Sequence, residues 1–321
     1  MAGEMYLKIT LNALLWLTAF ADCFHFSGCK GLITIDSCLT SGAHDDPINV
    51  HGTHLQIMSV DAGKIRLRFM HPQTYGFEAF FAGDSIAFIN PKTLLPLGVA
   101  KLKTAKLINW REMEIQAEGV LPVFVAAGLC VENISWTPEL IIKNSRFERT
   151  NTRGLLVTTR RKVIIENNSF FHTGMYPILI ADDALSWFES GAVQDVTIRN
   201  NVFEECGNNS GSGGIDIAPE NHELTEGNSV HRNIRITGNV FIVNNGEVLD
   251  ARSVDRLVFT GNKIIHTNLL QKDTDKPVVY LVACKNVLIE GNTFDAKVLP
   301  IVQISKMGAT DIKTDMEVNR K

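Results

Sequence analysis

Residues 42–54, Gly-Ala-His-Asp-Asp-Pro-Ile-Asn-Val-His-Gly-Thr-His, concentrate the side chains best suited to acid–base chemistry. The adjacent carboxylates Asp45 and Asp46 share this stretch with an asparagine and three histidines, and short apolar runs at 32–35 and 55–57 flank it. Acids and imidazoles at the end of a strand indicate a site of proton transfer. The alternative interpretation is a solvated loop that happens to carry two aspartates.

A repeated pattern in the second half of the chain predicts the elements that would position these side chains. Its form is apolar-x-apolar-x-(Asn/Gly)-Asn-x-apolar, and it occurs at 163–170, 196–203, 234–241, 257–264 and 287–294, with a weaker copy at 140–147. The alternating apolar residues predict a strand with one buried face. The Asn/Gly position suits a left-handed turn, and the second asparagine can form a ladder between repeats. Because one unit cannot bury its face alone, the units must stack.

The spacing of the repeats predicts an all-β protein, a right-handed parallel β-helix whose longer coils carry loops. Residues 55–128 lack the asparagine ladder but contain alternating strands punctuated by glycine and proline, which predicts a small inserted antiparallel β-barrel. The predicted organisation is therefore first β-helix coils at 1–54, a barrel at 55–128 and the main β-helix at 129–321.

Composition limits the remaining possibilities. The chain has 321 residues and a formal net charge of −4, with dispersed basic residues, which argues against nucleic-acid binding. The six cysteines show no CxxC spacing, so no zinc site and no cofactor are expected. The apolar run before Ala21 is typical of either a secretory signal or a buried strand, and too short to span a membrane. Secretion or a periplasmic location is expected, without excluding the cytoplasm.

Stacking of coils predicts partners for the acidic pair. Asp22 lies 23 residues before Asp45, which is the shortest interval of the asparagine ladder, so the two should be neighbours on one face. Repulsion among carboxylates raises at least one pKa, and an acid together with a base is what glycosidic bond cleavage requires. His25, Asn49 and His51 are candidate sugar contacts, although such histidines are more often structural.

Two further segments offer candidate residues. In the loop at 180–191, Asp182, Asp183 and Glu189 accompany Trp187, and an aromatic ring beside acids suits a sugar. The alternative is a solvated loop packed by its own aromatic residues. Glu78 lies in the inserted domain, from which it could reach over the site as an acid or a hydroxyl ligand.

The stretch His-Asp-Asp-Pro-Ile-Asn-Val-His-Gly-Thr at 44–53 resembles a motif of the α-1,3-galactosidases of glycoside hydrolase family 110. The segments 21–29 and 180–191 resemble the same family, over most of the chain from 22 to about 294. The resemblance implies a β-helix with a barrel insertion and inverting release of terminal α-1,3-linked galactose, including from blood-group-B-type glycans. It assigns Asp45 and Asp46 to water activation, Asp22 to the pocket and, by a looser match, Glu78 as the acid.

The sequence keeps rival functions open. The family has further coils before the segment at 21–29, so this chain resembles a truncated relative. It is then either an exo-α-galactosidase acting on galactose-terminated glycans or a non-catalytic glycan-binding β-helix. A pectin-type lyase or polygalacturonase is a weaker alternative, because 42–54 contains no lysine or arginine. The oligomeric state is not predicted.

Overall fold

The computed structural model describes residues 7–9, 19–209, 213–225, 227–244, 246–267, 277–295 and 300–321. Regular structure in these ranges is β-strand, apart from one 3-10 turn at Ala309–Asp311. The apolar run proposed as a signal lies mainly outside the described residues. Nowhere in these ranges is there a helix with the length and hydropathy needed to cross a bilayer.

Parallel strands form three long sheets that wind the chain into a β-helix. The first sheet contains β1 (Leu7–Ile9), β3 (Leu32–Asp36), β11 (Glu139–Lys143), β14 (Val163–Glu166), β18 (Val196–Arg199), β21 (His231–Thr237), β24 (Val254–Thr260), β27 (Lys285–Glu290) and β30 (Ile312–Thr314). The second contains β2 (Phe24–Ser27), β5 (Ile48–Asp61), β13 (Leu155–Val157), β16 (Ile178–Ile180), β20 (Ile215–Ile217), β23 (Leu249–Arg252), β26 (Val279–Val282), β29 (Ile301–Ser305) and β31 (Glu317–Arg320). The third contains β4 (Leu39–Ser41), β12 (Arg146–Glu148), β15 (Ser169–Phe171), β19 (Val202–Glu204), β22 (Val240–Val243), β25 (Lys263–His266) and β28 (Thr293–Phe294).

The predicted asparagine ladder holds the coils together. The side-chain oxygen of Asn201 accepts the backbone N–H of Asn168 at 2.9 Å, and the same bond links Asn201 to Asn239 on the next coil. The preceding residues have the predicted left-handed backbone, with φ of 55° at Asn200 and 65° at Gly238. The ladder satisfies buried backbone groups at the turn between the first and third sheets, which lets short strands stack without strain.

The apolar residues at the end of each repeat form a column of stacked phenylalanines in the third sheet. Ring centroids are 5.2 Å apart between Phe147 and Phe170, 5.0 Å between Phe170 and Phe203, and 4.8 Å between Phe203 and Phe241. All four side chains are fully buried. Register is therefore fixed coil by coil, since a one-residue slip would expose these rings.

Residues between 48 and 133 form the predicted antiparallel barrel. Its strands are the second half of β5, then β6 (Lys64–Arg68), β7 (Ser85–Ile89), β8 (Pro96–Asn109), β9 (Glu112–Ala117) and β10 (Cys130–Asn133). The pairing β5–β6–β9–β8–β7–β10 closes because β10 also pairs with β5. The barrel and the parallel coils confirm the predicted fold class.

Strand β5 joins the two bodies without a linker. Its first residues pair in parallel with β2 and β13, and its last residues pair antiparallel with β6 and β10. The predicted boundary after 54 thus falls inside a strand, and the last barrel strand begins after the predicted boundary at 128. A continuous strand therefore joins the barrel directly to the coil that carries 42–54.

Replacing one asparagine of the ladder should destabilise the β-helix. Asn201 is buried, and its amide also donates to the Ile165 carbonyl at 2.9 Å. We expect Asn201→Ala to lower the free energy of unfolding by about 2–4 kcal/mol, because buried groups left unpaired cost about 1–3 kcal/mol each. Urea unfolding followed by circular dichroism measures the change. Asn208→Ala, at an exposed asparagine, is the control, and equal midpoints for the two variants would contradict the prediction.

Candidate active site

Asp22, Asp45 and Asp46 meet where β2 stacks on β5. Phe24 pairs with Ile48, and the N–H of Cys23 donates to the Asp46 carbonyl at 3.1 Å. One carboxylate oxygen of each aspartate lies within 4.8 Å of those of the other two. The structure thus brings the three acids together, but with a coil of 24 rather than 23 residues, so that Asp46 is the residue in register with Asp22.

Asp46 is held by a basic residue from the next coil. Arg153 donates from Nε to Oδ1 at 2.9 Å and from Nη2 to Oδ2 at 2.7 Å, and the Thr152 hydroxyl donates to Oδ1 at 3.0 Å. The Asp46 side chain is 1% exposed. Burial raises its pKa, while the hydrogen bonds and positive charge of Arg153 act in the opposite direction. Both oxygens of Asp46 are therefore occupied.

Asp45 is the solvent-exposed aspartate of the adjacent pair. Its side chain is 47% exposed, and its Oδ1 accepts the backbone N–H of Asp46 at 3.0 Å. Arg153 Nη2 is farther away, at 3.8 Å. No described residue hydrogen-bonds to the other oxygen, so Asp45 is the carboxylate best placed to meet a water molecule or a substrate.

Two histidines extend from Asp22 toward the loop at 180–191. His25 Nδ1 lies 2.9 Å from Asp22 Oδ2, and His25 Nε2 lies 2.7 Å from His51 Nε2. His51 Nδ1 lies 2.5 Å from the Gly52 carbonyl. The hydrogen bond to Asp22 raises the pKa of His25, whereas burial lowers the pKa of His51 to about 4. The two histidines therefore contact each other directly, and burial favours the neutral form of His51.

Glu189 faces the histidines from a short strand, β17 (Glu189–Ser190), which pairs antiparallel with β5. Its Oε1 lies 3.5 Å from His51 Nε2 and accepts from Asn49 Nδ2 at 3.4 Å. Burial raises the pKa of Glu189, and the hydrogen bond from Asn49 acts against that shift. A largely buried carboxyl with few strong donors is suited to carry a proton.

The contact between β17 and β5 depends on a glycine. A side chain at Gly52 would place its Cβ 2.5 Å from the Ser190 Oγ, and Ser190 is fully buried. Gly52 therefore allows the two strands to approach closely, which holds Glu189 against His51.

Adding a methyl group at this contact should displace Glu189. We expect Gly52→Ala to lower catalytic activity at least tenfold and to lower the melting temperature, because the serine hydroxyl cannot move freely in a packed site. Ser190→Ala removes the clashing Oγ, so Gly52→Ala/Ser190→Ala should recover most of both losses. Activity assays and thermal melts of the three variants test this, and a double variant no better than Gly52→Ala would contradict it.

Asp183 has a structural role rather than the predicted sugar contact. Its carboxylate accepts backbone N–H groups from Leu185, Ser186, Trp187 and Phe188, the first at 2.8 Å. The side chain is buried. These bonds fold the loop at 183–188 and leave the carboxylate no room for a ligand.

Trp187 is the exposed ring of that loop. Its side chain is 54% exposed, and its indole stacks on His71 of the barrel, with ring centroids 4.6 Å apart. A residue of the barrel domain therefore meets the loop at 180–191. An exposed indole of this kind suits the apolar face of a sugar.

Asp182 belongs to a buried ionic group away from the surface. It is 2% exposed, and its pKa is raised well above the usual value by burial and by Glu132. Arg160 pairs with Glu132, with Nε 2.8 Å from Oε1. A side chain this buried does not favour the predicted contact of Asp182 with sugar, and the Arg160 side chain is also largely buried. The alternation of apolar and polar residues along the chain cannot distinguish a buried ion pair from an exposed one.

Glu78 makes no direct contact with the acids in the described structure. Its side chain is exposed in the loop between β6 and β7, and it forms no hydrogen bond or ion pair with other described residues. The neighbouring Tyr75 stacks under Arg111, whose guanidinium lies 3.8 Å from the ring centroid. Nothing in this arrangement brings Glu78 to Asp45 or Asp46.

Arg153, Thr152 and Ser190 are site residues that sequence reasoning missed. Arg153 is 107 residues from Asp46 along the chain. The sequence signal that could have found it is the predicted stacking, because 153 follows a weak copy of the repeat on the coil after 42–54. Because Arg153 is engaged by Asp46, it is not free to bind an acidic sugar, which weakens the lyase alternative.

Two groups of side chains in the described residues have the spacing of metal ligands. One is His25, His51 and Glu189, and the other is Asp22, Asp45 and Asp46. In the first group the 2.7 Å separation of the two imidazole nitrogens is that of a hydrogen bond. In the second, Arg153 occupies both oxygens of Asp46. The expectation of a metal-free site remains a prediction.

Comparison with known families defines the class of the protein. The family model described as "Right handed beta helix region" matches residues 127–304, and one described as "GLAA-B beta-barrel domain II" matches residues 64–131. The chain therefore belongs to the right-handed β-helix proteins.

Within this class, the chain is similar to curated α-1,3-galactosidases. It is 44% identical over 307 residues to a protein named "Alpha-1,3-galactosidase A" of Bacteroides fragilis (strain YCH46), covering 94% of this chain and 51% of that protein. Two relatives in Bacteroides thetaiotaomicron, "Alpha-1,3-galactosidase A" and "Alpha-1,3-galactosidase B", are 44% and 41% identical over 85% and 92% of this chain, and 48% and 49% of their own lengths. The predicted resemblance is confirmed. The chain spans about half the length of these relatives.

Proposed function

We propose that this protein is a glycoside hydrolase that releases terminal α-1,3-linked galactose from glycans with inversion at the anomeric carbon. The observation that carries the proposal is the open carboxylate of Asp45 beside the arginine-held Asp46. The relatives of the chain are named α-1,3-galactosidases, which supports the linkage and the sugar. Inverting hydrolysis requires a base that activates water and an acid that protonates the leaving oxygen.

Asp45 is the proposed general base. Its exposure gives water access, and its hydrogen bond from the Asp46 N–H fixes the carboxylate orientation. Asp46 and Asp22 are already engaged by Arg153 and His25. These two residues therefore orient Asp45 and the water, rather than exchange protons with them.

Glu189 is the proposed general acid, in place of Asp22 or Glu78. The carboxyls of an inverting pair lie about 6.5–9.5 Å apart, whereas the three aspartates converge to within 4.8 Å. The acid must therefore come from outside the aspartate cluster. Glu189 is buried with a raised pKa, so it holds a proton at a higher pH than an exposed glutamate.

Sugar contacts are proposed for Trp187 and Asn49. The exposed indole would cover the apolar face of galactose, and the Asn49 Oδ1, buried without a partner in the described structure, would accept a hydroxyl proton. This unpaired acceptor favours a polar ligand, because a buried carbonyl oxygen without a hydrogen-bond donor lowers the stability of the folded protein.

Release of galactose from α-1,3- and α-1,4-linked galactosyl disaccharides tests the proposal. The expected result is release from the α-1,3 linkage, with β-galactose appearing first in the proton NMR spectrum. Appearance of α-galactose first would overturn inversion. Glu189→Gln and Glu78→Gln then compare the two candidate acids, and we expect only the former to lose activity.

A non-catalytic glycan-binding role is the second candidate, because the buried and unpaired Asn49 Oδ1 can accept a sugar hydroxyl whether or not a bond is cleaved. Binding of an α-1,3-galactosyl disaccharide without any release of galactose would favour it. Isothermal calorimetry beside the activity assay separates the two functions.

A further inference from the structure

Glu189 follows directly on a loop that a single aspartate folds. The Asp183 carboxylate accepts the N–H groups of Ser186 and Phe188 at 3.0 Å each. The N–H of Asp183 donates to the Glu189 carbonyl at 2.9 Å. The loop at 183–189 is therefore closed on itself, and its hydrogen bonds reach the backbone of Glu189.

Phe188, which precedes Glu189, has a left-handed backbone. Its φ is 59°, a conformation that is unfavourable for a residue with a Cβ atom and persists only where neighbouring contacts hold it. Two hydrogen bonds hold it here. The Phe188 N–H donates to the Asp183 carboxylate, and the Phe188 carbonyl accepts the N–H of His54 at 2.8 Å. The direction in which the chain enters β17 therefore depends on these contacts.

His54 ties the loop to strand β5 a second time, through its side chain. Its Nδ1 lies 2.8 Å from the Asp183 carbonyl oxygen, which can only accept, so Nδ1 is the donor. The other ring nitrogen has no hydrogen-bond partner among the described residues, and His54 is 1% exposed. The imidazole therefore contributes one hydrogen bond in this part of the structure, and that bond goes to the loop.

The inserted barrel packs against the same loop. Ala184 and Phe188 are buried in one apolar cluster with Ile89 of β7 and Cys130 of β10. Cys130 Sγ also lies 3.7 Å from the Ala184 carbonyl oxygen. Contacts from β5 and from two barrel strands therefore meet at the residues that precede Glu189.

We propose that His54 is a positioning residue that holds the loop at 183–188, and with it the Glu189 carboxyl, where the acid reaches the leaving oxygen. The proposal rests on the hydrolytic function above, with Glu189 as the acid. His54 acts through Asp183 and Phe188 and transfers no proton. A displacement of about 1 Å at a catalytic group can cost about 100-fold in rate, so the hydrogen bonds at the base of the loop bear directly on catalysis.

A purely structural role of His54 predicts a different result. A loss of stability lowers the amount of folded enzyme, so it reduces the hydrolysis of every substrate by the same factor. Displacement of an acid affects chiefly the departure of a poor leaving group, because a good leaving group needs no proton. A galactosyl disaccharide and a dinitrophenyl α-galactoside therefore distinguish the two roles.

Two substitutions separate the hydrogen bond of His54 from its packing. His54→Asn places an amide N–H near the position of Nδ1, where it can donate to the Asp183 carbonyl, but the side chain is smaller. His54→Leu keeps most of the volume and removes the donor. We expect His54→Leu to lower kcat on the disaccharide about 10- to 100-fold and to leave kcat on the dinitrophenyl substrate within about threefold. His54→Asn should stay within about threefold of the wild type on both substrates.

His266→Leu is the matched control. His266 is also buried, at 3% exposure, but it lies in β25 of the third sheet. Its replacement should lower the melting temperature without changing the ratio of the two kcat values. An equal loss on both substrates in His54→Leu would overturn the positioning role. A disaccharide kcat as low in His54→Asn as in His54→Leu would overturn it as well.

Hydrogen exchange judges the loop separately from activity. The four N–H groups that donate to the Asp183 carboxylate should exchange slowly in the wild type. We expect their exchange to accelerate about 3- to 10-fold in His54→Leu, the effect of one lost hydrogen bond on local opening, and to stay near the wild-type rate in His54→Asn. Unchanged exchange in His54→Leu would overturn the proposal even in an active enzyme.

Glu189→Gln separates failure of this proposal from failure of the proposed function. If Glu189→Gln keeps the disaccharide kcat, Glu189 is not the acid, and the positioning of an acid fails with that assignment. If Glu189→Gln loses disaccharide activity and His54→Leu does not, the acid stands and the positioning role is overturned. If the wild type cleaves neither substrate, the hydrolytic function fails, and the exchange rates alone decide whether His54 holds the loop.

Discussion

Asp45→Asn is expected to lower kcat for release of α-1,3-linked galactose by about 10²–10⁴-fold, the usual contribution of a general base. The amide keeps the acceptor that meets the Asp46 N–H, so the loop should keep its shape. The change removes only the basic oxygen that activates water. We therefore expect KM to change little, with the loss appearing in kcat.

Asp36→Asn is the matched control for this substitution. Asp36 ends β3 on the first sheet, where it accepts from Asn144 and Ser37, away from the acidic cluster. Its replacement should leave kcat unchanged. Steady-state kinetics on an α-1,3-galactosyl disaccharide measures both variants. If Asp45→Asn kept more than a tenth of the wild-type kcat while Asp46→Asn was inactive, Asp46 would be the base instead.

Arg153→Met is expected to be the most destabilising substitution at the site. It leaves Asp46, 1% exposed, without its bidentate partner. Removing one member of a buried ion pair costs about 3–5 kcal/mol, because the remaining charge stays desolvated. Urea unfolding followed by tryptophan fluorescence measures the loss.

The pH dependence of this loss has a definite sign. Burial raises the pKa of Asp46, and Arg153 opposes the shift, so the variant should raise that pKa further. Stability contributed by a raised carboxyl pKa is present at low pH and is lost as pH rises through the folded-state value. The destabilisation should therefore be smaller at pH 5 than at pH 8.

Two variants complete the test of the ion pair. Arg153→Met/Asp46→Asn removes the buried charge and should regain part of the lost stability. Arg149→Met removes an arginine that is 61% exposed, and Glu148 keeps its bond to Arg146, so a change of at most about 1 kcal/mol is expected. Equal losses for Arg153→Met and Arg149→Met would show that the buried pair does not hold the site.

The β-helix and the barrel could be predicted because their signals are local. The repeat places apolar residues at every second position and an asparagine or glycine at each turn, and every coil repeats that local rule. The ladder from Asn168 to Asn292 and the phenylalanine column follow from it directly. The closed barrel followed from alternating strands that lack the ladder.

The acidic cluster was predictable for the same reason, since coil length relates Asp22 to 42–54. The error of one residue in that length changed which aspartate lies in register with Asp22. It arose because the interval was taken from another coil, and loop lengths differ between coils. The burial of Asp182 and Asp183 could not be predicted, because side chains in an irregular loop have no period from which burial can be deduced.

The sequence by itself determined the solenoid, the inserted barrel and the acidic cluster, because these depend on spacings within one or two coils. Only the tertiary structure decided the long-range contacts and the burial of the site residues. Arg153 meets Asp46 across 107 residues, and Glu189 meets Asn49 across 140. Burial and long-range partners shift the pKa values of Asp46, His51 and Glu189, and neither can be deduced from neighbouring residues in the chain.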